Sequence, residues 1–306
     1  MVKRVVVYTN SLLTHTGVIA DAGFAVEKKE IVVKSNRLVE ASYKLNLVEQ
    51  QIILYSICRS REEERGLSPQ EPVTISAASF ATQFGTDTRL VYGQLKEAMD
   101  TLFERFVTIH DIDPKTGLPR VTKTRWISEA SYIDGAGQIQ IIFAPRVIPF
   151  ITRLGEEGNF TSYLLERIGN MTSGHAIRLY ELLAQYQDAG KRGFGIPDLK
   201  ETLGLDPSEY PAIKDFKKWV VDVAVSQINK HTDIAVEYEN IKTGRTVTGL
   251  MFSIKAKPEP KPKAAKKWPP ITDEYIALRA KERLGESRDQ VVKRILKERG
   301  QQKLGI

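Results

Sequence analysis

The chain has 306 residues, 42% hydrophobic and 27% charged, a globular composition with room for two ordinary domains. No run of eighteen apolar residues occurs, so no membrane span is expected, and the single cysteine, Cys58, excludes an intrachain disulfide and fits a reducing cytoplasm. The net charge is +7, and of 45 Lys+Arg and 38 Asp+Glu, 14 and 7 lie from Lys257 to Ile306, which leaves 31 of each before that point.

Residues 1–30 read as a tail, because the basic residues near Met1 are followed by no sustained apolar core with a cleavage site. The first expected helix is Asn46 to Arg59, with Leu47, Ile52 or Ile53, and Ile57 inward and Cys58 as a small core hydrophobe. The charged loop "REEERGLSPQEP" leads to a short strand, Val73 to Ile75. Then "SAASFATQFGTDTRLVYGQLKEAMDTLFERF" reads as helix, turn, helix. Ser76 caps the first helix and Gly85 ends it, and Leu95, Met99, Leu102 and Phe106 form the seam of the second. Strand-like "VTIHDI" turns at "DPKTG" and returns as "RVTKTRWI". A second hairpin spans "SEASYIDGAGQIQIIF", turning at Asp134 to Gly137.

The pattern then repeats. "GHAIRLYELLAQYQDAG" is a helix, and "GFGIPDLKETLGL" is a short strand and a helix ended near Gly204. A helix runs from Phe216 onward, and "DIAVEYENIKTGRTVTGLMFSIKAK" is a hairpin turning at Asn240 to Gly244. Both halves run helix, short strand, helix, turn, helix, hairpin, and share the triplet "KTG" (Lys115–Gly117 and Lys242–Gly244) at expected wing tips. This order predicts an α+β fold of two tandem winged-helix domains with pseudo-repeat architecture. The expected divisions are a tail 1–30, a first domain 31–155, a second domain 156–257, and a basic tail 258–306. In that tail, "KPEPKPKAAKKWPP" is a Pro- and Lys-rich linker. It precedes a helical segment with a broken stripe of Ile276, Leu278, Leu284, Val291, Ile295 and Leu296, capped by Thr272 or Asp273 and interrupted at Gly285. That tail either holds a polyanion such as DNA without reading sequence, docks a partner protein, or is simply solvated.

No catalytic motif stands out. There is no Gly-rich phosphate loop, and His15, His110, His175 and His231 form no pair at metal-ligand spacing. Two histidines flanking an apolar residue, which a strand nickase needs, are absent. Ser173 near His175 reads as a helix cap beside a surface histidine. No catalytic residue, metal or cofactor is expected.

The stretch "YPAIKDFKKWVVDVAVSQINK" carries the sharper signal. Phe216, Trp219, Val220, Val223, Ala224 and Ile228 form one apolar stripe, while Lys214, Lys217 and Lys218 crowd the helix entrance. A helix N-terminus is already partly positive and favours acids. In a helix-turn-helix, however, the N-terminal end of the second helix leads into the DNA major groove, where cations meet phosphates and guanine edges. Lys214, Lys217 and Lys218 therefore read as DNA contacts. In the first repeat the corresponding positions are taken as Arg89, Tyr92 and Lys96, flanked by Asp87, Glu97 and Asp100, which predicts weaker binding there. Lys115 at one wing tip, and Lys242 with Arg245 at the other, would reach phosphate or the minor groove. The alternating "QIQIIF" (Gln138–Phe143) suggests an edge strand that dimerises through Ile139 and Ile141.

The run from "FTSYLLERIGNMTSGHAIRLYELL" through "DFKKWVVDVAVSQINKHT" to "KTGRTVTGLMFSIK" resembles the iteron-binding plasmid replication initiators. The upstream "VVKSNRLVEASYKLNLVEQQIILYSI" and "FAPRVIPFITRL" match the same family, so the resemblance covers about Ile31 to Lys257. It implies two winged-helix domains that bind directly repeated double-stranded DNA sites at an origin as monomers and melt the adjacent duplex. It implies recruitment of the host replication initiator and replicative helicase. It also implies a homodimer in equilibrium with monomer, which binds an operator inverted repeat, represses its own gene and is converted by host chaperones. The second domain makes the main contacts, and its basic recognition helix maps onto Phe216-Lys217-Lys218-Trp219. Close relatives carry arginine where this chain has Lys217 and Lys218, and lysine lacks the bidentate fork. The expected protein is cytoplasmic and not an enzyme. The competing readings are a tandem winged-helix transcriptional regulator without a replication role, and a DNA-processing enzyme.

Overall fold

The computed structural model describes residues 30–113, 115–152, 159–258, 271–281 and 286–298. Lys29–Lys261 form one compact unit, and Pro262–Ile306 belong to another.

In the larger unit, β1 (Ile31–Ser35), α1 (Asn36–Glu40) and β2 (Ser42–Tyr43) lead into α2 (Leu47–Glu63). Asn46 and Glu49 close a capping box at its start, with bonds of 2.9 and 2.6 Å. α2 runs four residues past its expected end and is buried nearly all round, by Ile52, Ile53, Leu54, Tyr55, Ile57 and Cys58. Next come β3 (Val73–Ser76), α3 (Ala77–Phe84) and α4 (Thr88–Phe103). The Ser76 hydroxyl caps α3 by accepting from the Ser79 N–H, and Gly85 ends it at φ 63°. Leu95, Met99 and Leu102 form the buried seam of α4. Phe106 does not join that seam: α4 stops at Phe103, and Phe106 opens the next strand, 41% exposed.

Four strands follow: β4 (Phe106–Ile112), β5 (Pro119–Arg125), β6 (Ile127–Ile133) and β7 (Gln138–Phe143). They divide between two sheets, β2-β4-β5 and β3-β7-β6. Only the β6–β7 hairpin shares a sheet with β3, the strand between the first two helices of the motif, so β6–β7 is the wing. The β4–β5 hairpin is an insertion, and the first "KTG" lies on it. Lys115 is thus not at a wing tip, and the two "KTG" triplets stand on hairpins that are not equivalent. The true first wing turns at Asp134–Gly137, with Gly137 left-handed at φ 59°.

β7 is the central strand of its sheet. Ile139 faces Ile75 and Tyr132, and Ile141 faces Val73 and Ala130 across the ladders. Both are wholly buried. The expected edge strand and its interface through Ile139 and Ile141 are therefore overturned: both edges of β7 are hydrogen-bonded within this chain, and the alternation marks core.

After α5 (Pro149–Thr152), β8 (Phe160–Leu164) pairs back on β1, followed by α6 (Glu166–Gly169) and α7 (Gly174–Ala184). Ser173 caps α7, as expected, but His175 is half-buried, with Nδ1 3.2 Å from the Leu203 carbonyl, rather than on the surface. β9 (Lys191–Gly195), α8 (Ile196–Thr202) and α9 (Ile213–Phe216) follow. α9 passes through a π turn (Lys217–Val221) into α10 (Asp222–His231), and β10 (Ile234–Thr243) and β11 (Thr246–Ala256) complete the unit. The sheet order β10-β11-β9 repeats the order β6-β7-β3. The chain thus folds as two winged-helix domains of mixed α and β structure.

A buried polar cluster joins the repeats. Glu181 on α7 accepts from Lys34 of β1 at 2.5 Å, from Arg178 at 3.1 Å and from the hydroxyls of Tyr163 and Tyr43 at 2.5 and 3.4 Å. Arg178 also donates to the carbonyls of Val39, Ala41 and Thr202 and lies over the Tyr43 ring at 3.8 Å. Gly204, at φ 76°, packs so close that an added Cβ would sit 2.2 Å from the Tyr43 carbonyl oxygen.

In the second unit, Thr272 caps α11 (Asp273–Ala280), and Ile276 packs with Val291 and Ile295 of α12 (Arg288–Glu298). That expected docking face is occupied internally, while Leu278 stays 60% exposed. The basic run Lys261, Lys263, Lys266 and Lys267, with Leu284 and Gly285, lies outside the described residues, as do residues 1–29.

Candidate nucleic-acid interface

The loop before the second recognition helix is held from both sides. The Lys200 ammonium donates to the Glu209 and Tyr210 carbonyls at 2.9 and 2.8 Å. Lys44 pairs with Asp206 and Glu209 at 3.1 and 2.9 Å, which ties this loop to the first domain. The helix then starts at Ile213, earlier than the expected Phe216.

Its apolar stripe departs from a plain 3.6-residue period. Phe216, Val220, Val221, Ala224 and Ile228 are buried, but Trp219 is 57% exposed and Val223 only half-buried. The π turn is the cause. It adds one residue to the turn, so Phe216 and Val221, five apart, share the inner face, and Trp219 swings outward. Sequence periodicity assumes an unbroken α-helix and so missed this exposed aromatic.

Ile213, Lys214, Lys217, Lys218 and Asp222 of the helix, with Tyr238 and Val247 of the wing, line an open groove of about 570 Å³. Three of the seven lining residues are lysines. Among the described residues no carboxylate forms an ion pair with Lys214, Lys217 or Lys218. The Lys218 ammonium lies 4.3 Å from the Trp219 ring centroid. Lys242 and Arg245 are exposed at the tip of the β10–β11 wing, which turns at Gly244 with φ 62°. The structure therefore brings Lys214, Lys217 and Lys218 to one groove and puts Lys242 and Arg245 at the end of one of its walls.

The wing is pinned to the helix by side chains that the sequence did not single out. Lys217 donates to the Asn240 amide oxygen at 3.0 Å and sits 5.3 Å from the centroid of the Tyr238 ring. The Tyr238 hydroxyl donates to Asp222 at 2.5 Å. Burial first, and then this bond to a carboxylate, push the Tyr238 phenol up, so it stays protonated at neutral pH.

The first domain repeats the arrangement. Lys96 donates to Asp134 at 3.0 Å and lies 5.1 Å from the centroid of the Tyr132 ring, whose hydroxyl donates to Asp100. In each wing the lysine's partner stands two residues after the tyrosine. Along the helix the lysine and aspartate are four apart in the first domain (Lys96, Asp100) and five apart in the second (Lys217, Asp222), and the π turn supplies the extra residue. This geometry corrects the expected correspondence. Lys96 is the counterpart of Lys217, not of Lys218, and Lys218 faces its counterpart in Glu97. Arg89 stands two turns earlier, exposed and paired with Asp87 at 3.0 Å, and the Tyr92 hydroxyl donates to Asp134 at 2.8 Å. The basic residues of this face are thus paired with acids, and Lys115 lies apart from it on the inserted hairpin, its N–H donating to Asp113 at 3.0 Å.

A family model described as "Initiator Replication protein, WH1" matches residues 31–184, and one described as "Initiator Rep protein, WH2" matches residues 195–254. The chain belongs to this family of plasmid replication initiators. It is 25% identical to an uncharacterised 27.6 kDa protein of Escherichia coli, over 77% of this chain and 98% of that one. It is 24% identical to the PI protein of Escherichia coli, over 74% and 83%. The crystal structure of Pi initiator protein in complex with iteron DNA superposes with a TM-score of 0.57 at 21% identity, covering 77% of this chain and all of that one, a likeness of fold. Among the described residues of this initiator, no three His, Cys, Asp or Glu are grouped to hold a metal, and no helix is long and apolar enough to cross a membrane.

Proposed function

We propose that this initiator binds directly repeated double-stranded DNA sites at a replication origin, with the second domain reading sequence. The observation that carries this is the groove in which Lys214, Lys217 and Lys218 stand between the recognition helix and the wing without ion-pair partners among the described residues. Lys214 stands in the first turn of the helix, where a cation is unfavourable in water alone, and Lys217 and Lys218 follow one turn on; DNA phosphate and guanine edges would offset the cost of gathering the three. Lys242 and Arg245 extend the contact along the wing. The first domain adds a weaker contact through Arg89, Tyr92 and Lys96, and Lys115 reaches the backbone from its inserted hairpin. We place the two binding units at 31–155 and 156–257, with β8 as a strap back to β1.

The resemblance to iteron-binding initiators supports the finer roles: origin opening, recruitment of the host initiator and helicase, and a chaperone-sensitive dimer that represses its own gene from an inverted repeat. A dimer through the first domain needs a free edge, and β7 offers none. β5 does, because among the described residues it pairs only with β4, and it exposes Val121 and, beside it, Leu118 and Ile112. DNase footprinting of the full chain across the DNA flanking its own gene tests the proposal. Protection of several direct repeats is expected. Protection of a single inverted repeat alone favours a transcriptional regulator instead.

A further inference from the structure

Each winged helix carries the same four-membered node between recognition helix and wing, and one member differs. The lysine, the tyrosine and the helix aspartate are shared: Lys96, Tyr132 and Asp100 in the first domain, Lys217, Tyr238 and Asp222 in the second. The fourth member, the acceptor for the lysine, is a carboxylate in Asp134 and an amide in Asn240, at the same 3.0 Å. Each node has its helix aspartate, Asp100 in one and Asp222 in the other, so that member does not distinguish the domains.

The two acceptors differ by one charge at nearly constant shape, and Asp134 takes a second bond, from the Tyr92 hydroxyl at 2.8 Å, that Asn240 lacks among the described residues. Lys96 and Asp134 form an ion pair, and the bonds from Lys96 and Tyr92 hold the Asp134 carboxyl below its usual range. That pair presents no net charge to an approaching phosphate. Asn240 accepts one N–H of Lys217 without neutralising it, so the ammonium keeps its charge and two further donors. The neighbouring position strengthens the contrast, with Lys218 exposed beside Lys217 and Glu97 exposed beside Lys96.

We infer that the absence of charge at Asn240 sets the DNA affinity of the second domain, by leaving the Lys217 charge for phosphate, and that Asp134 at the equivalent place weakens the contribution of Lys96. This rests on the second domain being a DNA-binding face. The functional feature of Asn240 is then its lack of charge. Both side chains are exposed and the change between them is isosteric, so exchange leaves the fold intact.

The test uses the full chain, fluorescence anisotropy with a labelled random-sequence duplex across a salt series, and a second titration with the fragment flanking its own gene. N240D is expected to weaken binding to both roughly tenfold, as loss of one charge-assisted contact does. The salt slope on the random duplex should fall by about 0.9, one phosphate contact. N240A adds no charge and should bind within about twofold of wild type. In a K217M background N240D should cost little, because the lysine it silences is gone. The reverse exchange, D134N, should steepen the slope by up to about 0.9. Two results overturn the inference: N240A as weak as N240D, which makes the amide a contact in itself, or an undiminished N240D effect in K217M, which makes it general repulsion. If K217A with K218A weakens binding and N240D does not, the inference falls alone. If wild type binds neither duplex, the proposed function falls with it.

Discussion

Glu181→Ala tests whether the joint between the two winged helices rests on a compensated buried charge. Glu181 is wholly buried and meets Lys34, Arg178, Tyr43 and Tyr163. Burial raises its carboxyl pKa, but Lys34 and Arg178 together outweigh that and hold it below the usual range. Without the carboxylate, Arg178 keeps the carbonyls of Val39, Ala41 and Thr202. Lys34, only 1% exposed, keeps just the Tyr43 hydroxyl at 3.4 Å. Breaking such a pair from one side costs about 3–5 kcal/mol, and here most of it falls on Lys34. Removing the orphan as well, with Lys34→Met in the same chain, should recover about 1–3 kcal/mol, the penalty of an unsatisfied buried group. Urea unfolding followed by circular dichroism gives both numbers. Burial already pushes Lys34 down to about 8. A folded lysine held below its unfolded value binds fewer protons than the unfolded chain between the two, so its contribution to stability rises with pH across that window. In Glu181→Ala the rise should begin at lower pH. Equal stability of the single and double variants would refute the orphaned-charge account.

Lys217→Ala with Lys218→Ala should lose roughly 1–3 kcal/mol of specific binding for a base contact by Lys218, together with the salt-dependent phosphate contact of Lys217, with unchanged thermal melting; an unaltered gel shift removes the recognition helix from DNA binding. Val121→Lys on the free edge of β5 should shift the chain toward monomer in sedimentation, whereas Ile141→Lys should unfold it, because Ile141 is core. Truncation after Lys257 should lower the salt slope on random duplex by about 3–4 units if Lys261, Lys263, Lys266 and Lys267 each neutralise a phosphate, and an unchanged slope leaves DNA out of the tail's role. Acid should destabilise the fold: Glu181, and Asp111 beside Arg120, are held below ordinary carboxylate values, so their stabilisation is full above about pH 4 and is lost as pH falls through their folded values, visible as a falling melting temperature.

The order helix, strand, helix, helix, hairpin within each repeat was legible in the sequence because each element depends on near neighbours, whereas β1, α1, β2 and β8 were not read. Caps at Ser76 and Ser173, the glycine stop at Gly85 and the turn at Asp134–Gly137 are set within a few residues, whereas the second turn, expected at Asn240–Gly244, falls only at Gly244 and Arg245 because β10 stays paired through Thr243. The lysines at the recognition-helix entrance were legible too, since an uncompensated cation cluster stands out against the helix dipole. Strand partnership was not legible. "VTIHDI" and "QIQIIF" are equally good strands by pattern, and only the long-range ladders made β6–β7 the wing, β4–β5 an insertion and β7 a buried centre. Nor was the π turn, because a 3.6-residue stripe carries no mark for one extra residue; packing of both Val220 and Val221 against the core decided it and turned Trp219 outward. The partners of Lys96 and Lys217 lie tens of residues away on the wings. What each lysine presents to DNA therefore became visible only once the fold had brought Asp134 to one and Asn240 to the other.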